Sequence, residues 1–303
     1  MHDRRHFLKG SLAGAGLLAV APRLALAARD EAAKTAAAAR SAVDRVTLGR
    51  TGIRCSFLAQ GTGSSGWGGS SDHTRLGQPA FTRLLRHGVD EGISFLDMAD
   101  QYGSHPYVRE GLKGVPRDRV VMLTKIAPGR ATATAGATRE HVERFQRELG
   151  TEMIDVCLVH CVQNDAWLDE FERVRDELSA LKEKGTLRAV GVSCHDHGAL
   201  KAAAKHPWVD VIFARINHRG GSEFSCDDTA EEIAKTLRLA RANGKAVVGM
   251  KIFGAGRLTK PEERDASLAY VLGGGVVDAI TIGMTSVEQV DDSVARIGRA
   301  LSA

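Results

Sequence analysis

Four polar residues carry the chemistry this chain offers. Asp97, Lys125 and His160 end short apolar runs, Phe95-Leu96-Asp97, Leu123-Thr124-Lys125 and Leu158-Val159-His160, and Tyr102 follows the first of them. A lysine closing an apolar strand is costly to bury without a partner, and Asp97 is the natural counter-ion. Together the four types suit proton transfer. A phenol gives up a proton, an ammonium favours its anion, a carboxylate fixes the ammonium, and an imidazole hydrogen-bonds the reacting oxygen. Any one of them alone reads more simply as structural, a buried Asp–Lys pair or a rim histidine. Four at corresponding strand ends argue for a site.

The elements that must position them follow from hydrophobic pattern. From residue 45 onward, short β-branched runs alternate with longer amphipathic ones. Strands are expected at 56–60, 94–98, 120–124, 154–159, 188–193, 209–214, 246–251 and 278–283. Helices are expected at 79–91, 105–113, 138–149, 166–185, 196–204, 228–243, 263–272 and 286–300. Pro79 suits a helix start, and Gly150, Gly185 and Gly244 suit helix ends. Eight βα units between 45 and 300 fit a (β/α)8 TIM barrel better than an open doubly wound sheet. Runs at 46–48 and 53–54, joined by Gly49-Arg50-Thr51-Gly52, read as an added hairpin plugging the N-terminal end of the barrel. In such a barrel the strand C-termini carry the chemistry, which is where the four residues fall.

The first residues read differently. Arg4-Arg5-His6-Phe7-Leu8-Lys9, an apolar stretch at 12–20 and Ala25-Leu26-Ala27 have the charged start, short apolar centre and small-residue ending of a secretory signal. The stretch is too short to span a bilayer comfortably, so no membrane anchor is expected after cleavage. The paired arginines resemble the twin-arginine (Tat) export motif. Residues 1–27 are thus expected to be a Tat signal, 28–44 an alanine-rich linker and 45–303 the barrel. The chain's expected location is periplasmic or extracellular, with the Tat machinery as a partner. A basic amphipathic start on a cytoplasmic protein is the plainer alternative.

Composition narrows the rest. The 303 residues carry a net charge of only +4 and no basic run interleaved with aromatics, so nucleic-acid binding is not expected. Cys55, Cys157, Cys161, Cys194 and Cys226 are odd in number and read as buried thiols.

The segment Asp97-Met98-Ala99-Asp100-Gln101-Tyr102-Gly103 resembles the D-x-A-x-x-Y-G stretch of the aldo-keto reductases. Residues 48–53, Thr124-Lys125, the run from Ile154 to His160, and Gly191-Val192-Ser193 are similar to that family's opening hairpin and its third, fourth and fifth strands. The likeness covers about residues 45–300. It implies an oxidoreductase that reduces a small carbonyl substrate with NADP(H) or NAD(H). Tyr102 would be the proton donor, Lys125 would lower its pKa, Asp97 would hold Lys125, and His160 would orient the carbonyl. It further implies a nicotinamide near Ser193 and a pyrophosphate along Phe253-Gly254-Ala255-Gly256-Arg257-Leu258. The adenosine would lie against Gly283, Met284, Thr285, Ser286 and Gln289.

Departures fall in the nicotinamide pocket. Cys194 stands where the family usually has asparagine, no glutamine lies near Phe213, and Met250, followed by Lys251, replaces the usual stacking aromatic. Neutral Thr285, Ser286 and Gln289 leave the choice between NAD and NADP open.

Three rival readings remain. Gly61-Thr62-Gly63-Ser64-Ser65-Gly66 fits G-x-G-x-x-G, but no helix is expected to open there, and Trp67 is instead expected to line a substrate pocket. Cys157, His160, Cys161, Cys194, His195 and His197 invite a metal-dependent hydrolase, though no C-x-x-C spacing supports a metal site. The altered nicotinamide pocket motivates a nucleotide-binding barrel with little turnover.

Overall fold

The computed structural model describes residues 41–302 except 128, 130–133 and 222–225. The expected signal at 1–27 and most of the expected linker lie outside the described residues. Residues 41–44, read as the linker's end, already pack on the barrel. Ala42 is fully buried, its carbonyl accepts from the Leu58 amide at 2.8 Å, and the Asp44 carbonyl accepts from Phe57 at 2.9 Å.

Strands β1 (Arg45–Thr47) and β2 (Arg54–Ser56) pair antiparallel, Val46 opposite Cys55. This is the expected hairpin. Val46, Leu48, Ile53 and Cys55 are all buried. Gly49 lies so close to the start of the seventh barrel strand that a β-carbon would come within 2.4 Å of the Ala246 nitrogen. The hairpin therefore seals the N-terminal end.

Eight parallel strands close the barrel: β3 (Leu58–Gly61), β4 (Phe95–Asp97), β5 (Val121–Ile126), β6 (Ile154–Val162), β7 (Leu187–Cys194), β8 (Val211–Arg215), β9 (Ala246–Met250) and β10 (Ala279–Gly283). Closure is made by β10 beside β3, Ile280 opposite Leu58. Around them run α1 (Asp72–Arg75), α2 (Gln78–Asp90), α3 (His105–Gly111), α4 (Ala137–Leu149), α5 (Trp167–Glu170), α6 (Glu172–Glu183), α7 (His197–Lys205), α8 (Ala230–Ala242), α9 (Pro261–Gly273) and α10 (Val287–Ser302). The helices bury apolar stripes at helical spacing, such as Phe81, Leu84, Leu85 and Val89 on α2. The expected helix at 166–185 is instead two, broken at Phe171.

The barrel interior is filled. Phe95 on β4 meets Phe213 on β8 edge-to-face at 6.5 Å, though these strands lie on opposite sides of the closed sheet. Side chains two residues apart on a strand share a face, so Asp97 follows Phe95 inward to the next layer. Among the described residues, no helix is long and apolar enough to cross a membrane.

Candidate active site

The upper layer of the barrel brings the quartet together. Lys125, 1% exposed, hydrogen-bonds Asp97 through its ammonium and donates to the Met98 carbonyl at 2.9 Å. The other Asp97 oxygen accepts from Thr281 Oγ1 at 2.9 Å. The buried carboxylate is thereby fixed between β5 and β10, and the buried ammonium has the partner its desolvation requires. The Lys125 ammonium also lies 5.0 Å from the centroid of the Tyr102 ring and acts electrostatically on its hydroxyl. His160 completes the group, its ring edge-on to Tyr102 at 5.6 Å between centroids. Its Nδ1 is buried with no hydrogen-bond partner among the described residues.

Tyr102 is held by glycines. It sits in a turn of 3-10 helix, Asp100–Tyr102, after β4. A β-carbon on Gly63 would come within 2.2 Å of its ring, and one on Gly66 within 2.5 Å. The G-x-G-x-x-G run opens no helix; α1 begins only at Asp72. Two of its glycines make room for the phenol ring, which no side chain larger than hydrogen would allow.

Electrostatics set the protonation states. Burial raises the Tyr102 pKa above 10.0; Lys125 pulls it back, Asp97 pushes it up, and the net shift is upward. Lys125 lowers this pKa as expected, but burial raises it by more. Desolvation outweighs the ammonium, whose effect Asp97 opposes. Burial lowers the Lys125 pKa, but Asp97 and Tyr102 more than restore it, and the ammonium is held. Burial, helped by Lys125, His195 and Lys251, drives His160 well below 6.5, so the imidazole is neutral.

A cavity of about 350 Å³ starts at this group and runs outward between β3, β9 and β10. Tyr102 and Asp97 line its inner end; Lys125 stands behind them, and His160 beside the Tyr102 ring. Of the residues expected to hold a cofactor, Met250, Lys251, Gly256, Gly283, Thr285 and Gln289 lie on the wall. Ser193, Cys194, Gly254, Arg257 and Ser286 do not. Cys194 is fully buried, with its carbonyl accepting from Cys226 Sγ at 3.4 Å, and Ser193 Oγ accepts from the Cys161 amide. Trp67 is not on the wall either: it stands 75% exposed on the loop after β3.

Sequence reasoning missed Thr281, Asp72, Arg264, Asp292 and Ser293, all on the wall. Thr281 could have been found two residues before Gly283 on the same strand. Asp292 and Ser293 could have been found three and four residues after Gln289 on the same helix. Among the described residues, no group of three or more His, Cys, Asp or Glu side chains is placed to hold a metal.

Strain gathers on the same rim. The five non-glycine residues with positive φ among those described, Ser65, Cys161, Asp227, Lys251 and Ala255, all lie at or beyond strand C-termini. Left-handed backbone is costly for such residues and tends to persist where function demands it.

Residues 58–271 match the aldo/keto reductase family, and the chain belongs to it. The match ends before β10 and α10, which the structure supplies. The Escherichia coli NADH-specific methylglyoxal reductase is 26% identical over 271 residues, covering 82% of this chain and 78% of that protein. The Agrobacterium fabrum 6-dehydroglucose reductase is 35% identical over 120 residues, 34% of this chain and 39% of that one. A Pseudomonas aeruginosa protein described as an aldo-keto reductase superposes with a TM-score of 0.70 at 25% identity, over 86% of this chain and 97% of its own. A Klebsiella pneumoniae aldo-keto reductase, solved with NADP and acetate, superposes with a TM-score of 0.62 at 19% identity, over 85% and 89%.

Proposed function

We propose that this chain reduces an aldehyde or ketone to an alcohol with NADH or NADPH, Tyr102 giving the proton. The observation that carries the reading is the buried group at the inner end of the cavity, in which Asp97 fixes Lys125 and the Lys125 ammonium lies 5.0 Å from the centroid of the Tyr102 ring. Adding hydride to a carbonyl carbon leaves charge on the oxygen, and that oxygen must take up a proton. A phenol whose pKa is raised arrives protonated. As it gives up the proton, the adjacent ammonium stabilises the phenolate. Neutral His160 hydrogen-bonds the carbonyl oxygen and fixes its angle. Acid assistance of this kind is worth about 10²–10⁴-fold, or about 3–5 kcal/mol of barrier.

The residues on the cavity wall suit a dinucleotide. Its wall carries Gly61, Gly256 and Gly283, and Met250, 8% exposed, offers an apolar face near the reactive end. A bound nicotinamide cofactor would supply the hydride. Backbone along the turn at Gly254–Gly256 and the start of α10 would meet its phosphates. The relatives are divided between NADH and NADP, and so is the proposal.

The test is Tyr102→Phe, which keeps the ring in its glycine slot and removes the hydroxyl. Carbonyl reduction should fall by about 10²–10⁴-fold while NADH or NADPH titration by fluorescence is unchanged. Undiminished turnover would remove Tyr102 from the reaction. Tight cofactor binding with no turnover in the parent protein would favour the nucleotide-binding reading.

We also propose that the twin-arginine motif at Arg4 and Arg5 exports the folded chain, with residues 1–27 as its signal. Replacing both arginines by lysine should leave uncleaved precursor in the cytoplasm, read by fractionation. Unimpeded export of that variant would sink the route.

A further inference from the structure

Lys251 follows the last residue of β9 and takes a left-handed backbone, φ 61°. Glycine is the residue that ordinarily fills such a position. Here the conformation is pinned by two hydrogen bonds to the lysine carbonyl, from Asn217 Nδ2 at 3.2 Å and from the Gly254 amide at 2.8 Å. The fold thus holds a lysine where a glycine would sit more easily, and the side chain must account for it.

That side chain lines the same cavity as Tyr102 and Asp97. Arg215, Cys161, Arg257 and Lys125 act electrostatically on it, and it acts on His160 in turn. Among the described residues, no carboxylate stands within ion-pair distance of it. Asp97, the acid on that part of the wall, is committed to Lys125 and Thr281. Arg215 donates to His195 Nδ1 at 2.6 Å. Lys251 therefore lines the cavity without a carboxylate beside it among the described residues, and an anion bound in the cavity would balance its charge.

We propose that Lys251 binds an anionic group on the substrate, so that the preferred substrates are small 2-oxo acids and aldehydes with a carboxylate beside the reacting carbonyl. This rests on the carbonyl-reductase reading and names its substrate class. The carbonyl oxygen would meet Tyr102 and His160, and the carboxylate would meet Lys251. Reduction of glyoxylate then takes a hydride at the aldehyde carbon and a proton at its oxygen to give glycolate, the carboxylate unchanged. Burial, and after it Arg215, pulls the Lys251 pKa down, and a bound carboxylate would restore it.

Glyoxylate and methylglyoxal form a matched pair, since a methyl ketone stands in the second where the carboxylate stands in the first. Wild type should show the higher kcat/KM on glyoxylate. Lys251→Met should lower the glyoxylate-to-methylglyoxal ratio at least tenfold, mainly through the glyoxylate KM, and Lys251→Arg should retain most of it. Titration of both variants with NADH and NADPH separates the other source of anion, the cofactor phosphates. An unchanged ratio, or an equal fall on both substrates with weakened cofactor binding, would overturn the inference while leaving the reductase reading in place. If wild type reduces neither compound nor other aldehydes, the reductase reading itself fails and this inference with it.

Discussion

The two ends of the barrel solve opposite problems with the same kinds of residue. At the N-terminal end, three aspartates at or just before strand starts each reach sideways to the neighbouring strand. Asp155 accepts from the Met122 amide at 2.8 Å, Asp210 from Val190 at 3.0 Å and Asp278 from Val247 at 2.8 Å. Each is also paired with a base: Arg117 and Arg188, Lys182, and Arg241. Among the described residues, no non-glycine with positive φ lies there. At the C-terminal end, among the described residues, His160 keeps a buried nitrogen unpartnered and the left-handed residues collect. Satisfied polar groups secure the bottom, and unsatisfied, strained ones are left where a ligand can use them. This matches the division of labour expected of such barrels, stability at one face and chemistry at the other.

If that division holds, changes at the two ends should separate rate from stability. The largest effect is Tyr102→Phe, an activity loss of orders of magnitude with little change in melting temperature. Its counterpart is Asp155→Ala. The Asp155 side chain is 2% exposed, and its loss strands the Met122 amide and leaves two arginines facing each other. Because both arginines are about a third exposed and partly solvated, the cost is put at about 2–4 kcal/mol. That is roughly 5–15 °C in melting temperature for a domain of this size. Its kcat/KM below the transition should stay within about threefold of wild type. Thermal denaturation and steady-state kinetics on the two variants check this together. A stable but inactive Asp155→Ala protein would break the comparison.

Much of this arrangement was legible in the sequence, and the exceptions share a cause. The eight strands and their order follow from apolar runs, and Asp97, Lys125 and His160 were placed because a strand end fixes where a side chain goes. Thr281 and Asp292 were as recoverable, since they repeat the periods of strand and helix. What escaped depends on tertiary contacts. No glycine or proline marks the break at Phe171; the preceding turn is tied down by Trp167, whose Nε1 donates to the Ala199 carbonyl at 3.3 Å. Trp67 was expected on the pocket, but Gly69 is held to the Gln101 carbonyl at 2.9 Å and the tip of the loop turns outward. The left-handed backbone at Cys161 and Lys251 has no sequence signal, because neither residue favours it. The net sign of the Tyr102 shift was not legible for the same reason: depth of burial is not written in spacing.

That sign gives the finest test of the comparison. On the proposed mechanism, reduction needs Tyr102 protonated, and its pKa lies above the ordinary 10.0. Lys125 must be charged, and its pKa lies above 10.5. His160 acts neutral, and its pKa lies well below 6.5. None of the three changes state between about pH 6.5 and 9. The kcat/KM for reduction should therefore be flat across that range and decline only in the alkaline region where the phenol ionises. Alcohol oxidation needs the phenolate to accept a proton, so its rate should climb with pH over the same alkaline region. Paired profiles in the two directions measure this. If Lys125 overrode burial, the crossover would fall below 9, and the chemical end of the barrel would be wetter than its packing implies. A limb near 6.5 in the reductive direction would instead mean that His160 takes up a proton, and that the cations around it repel it too weakly to keep the imidazole neutral.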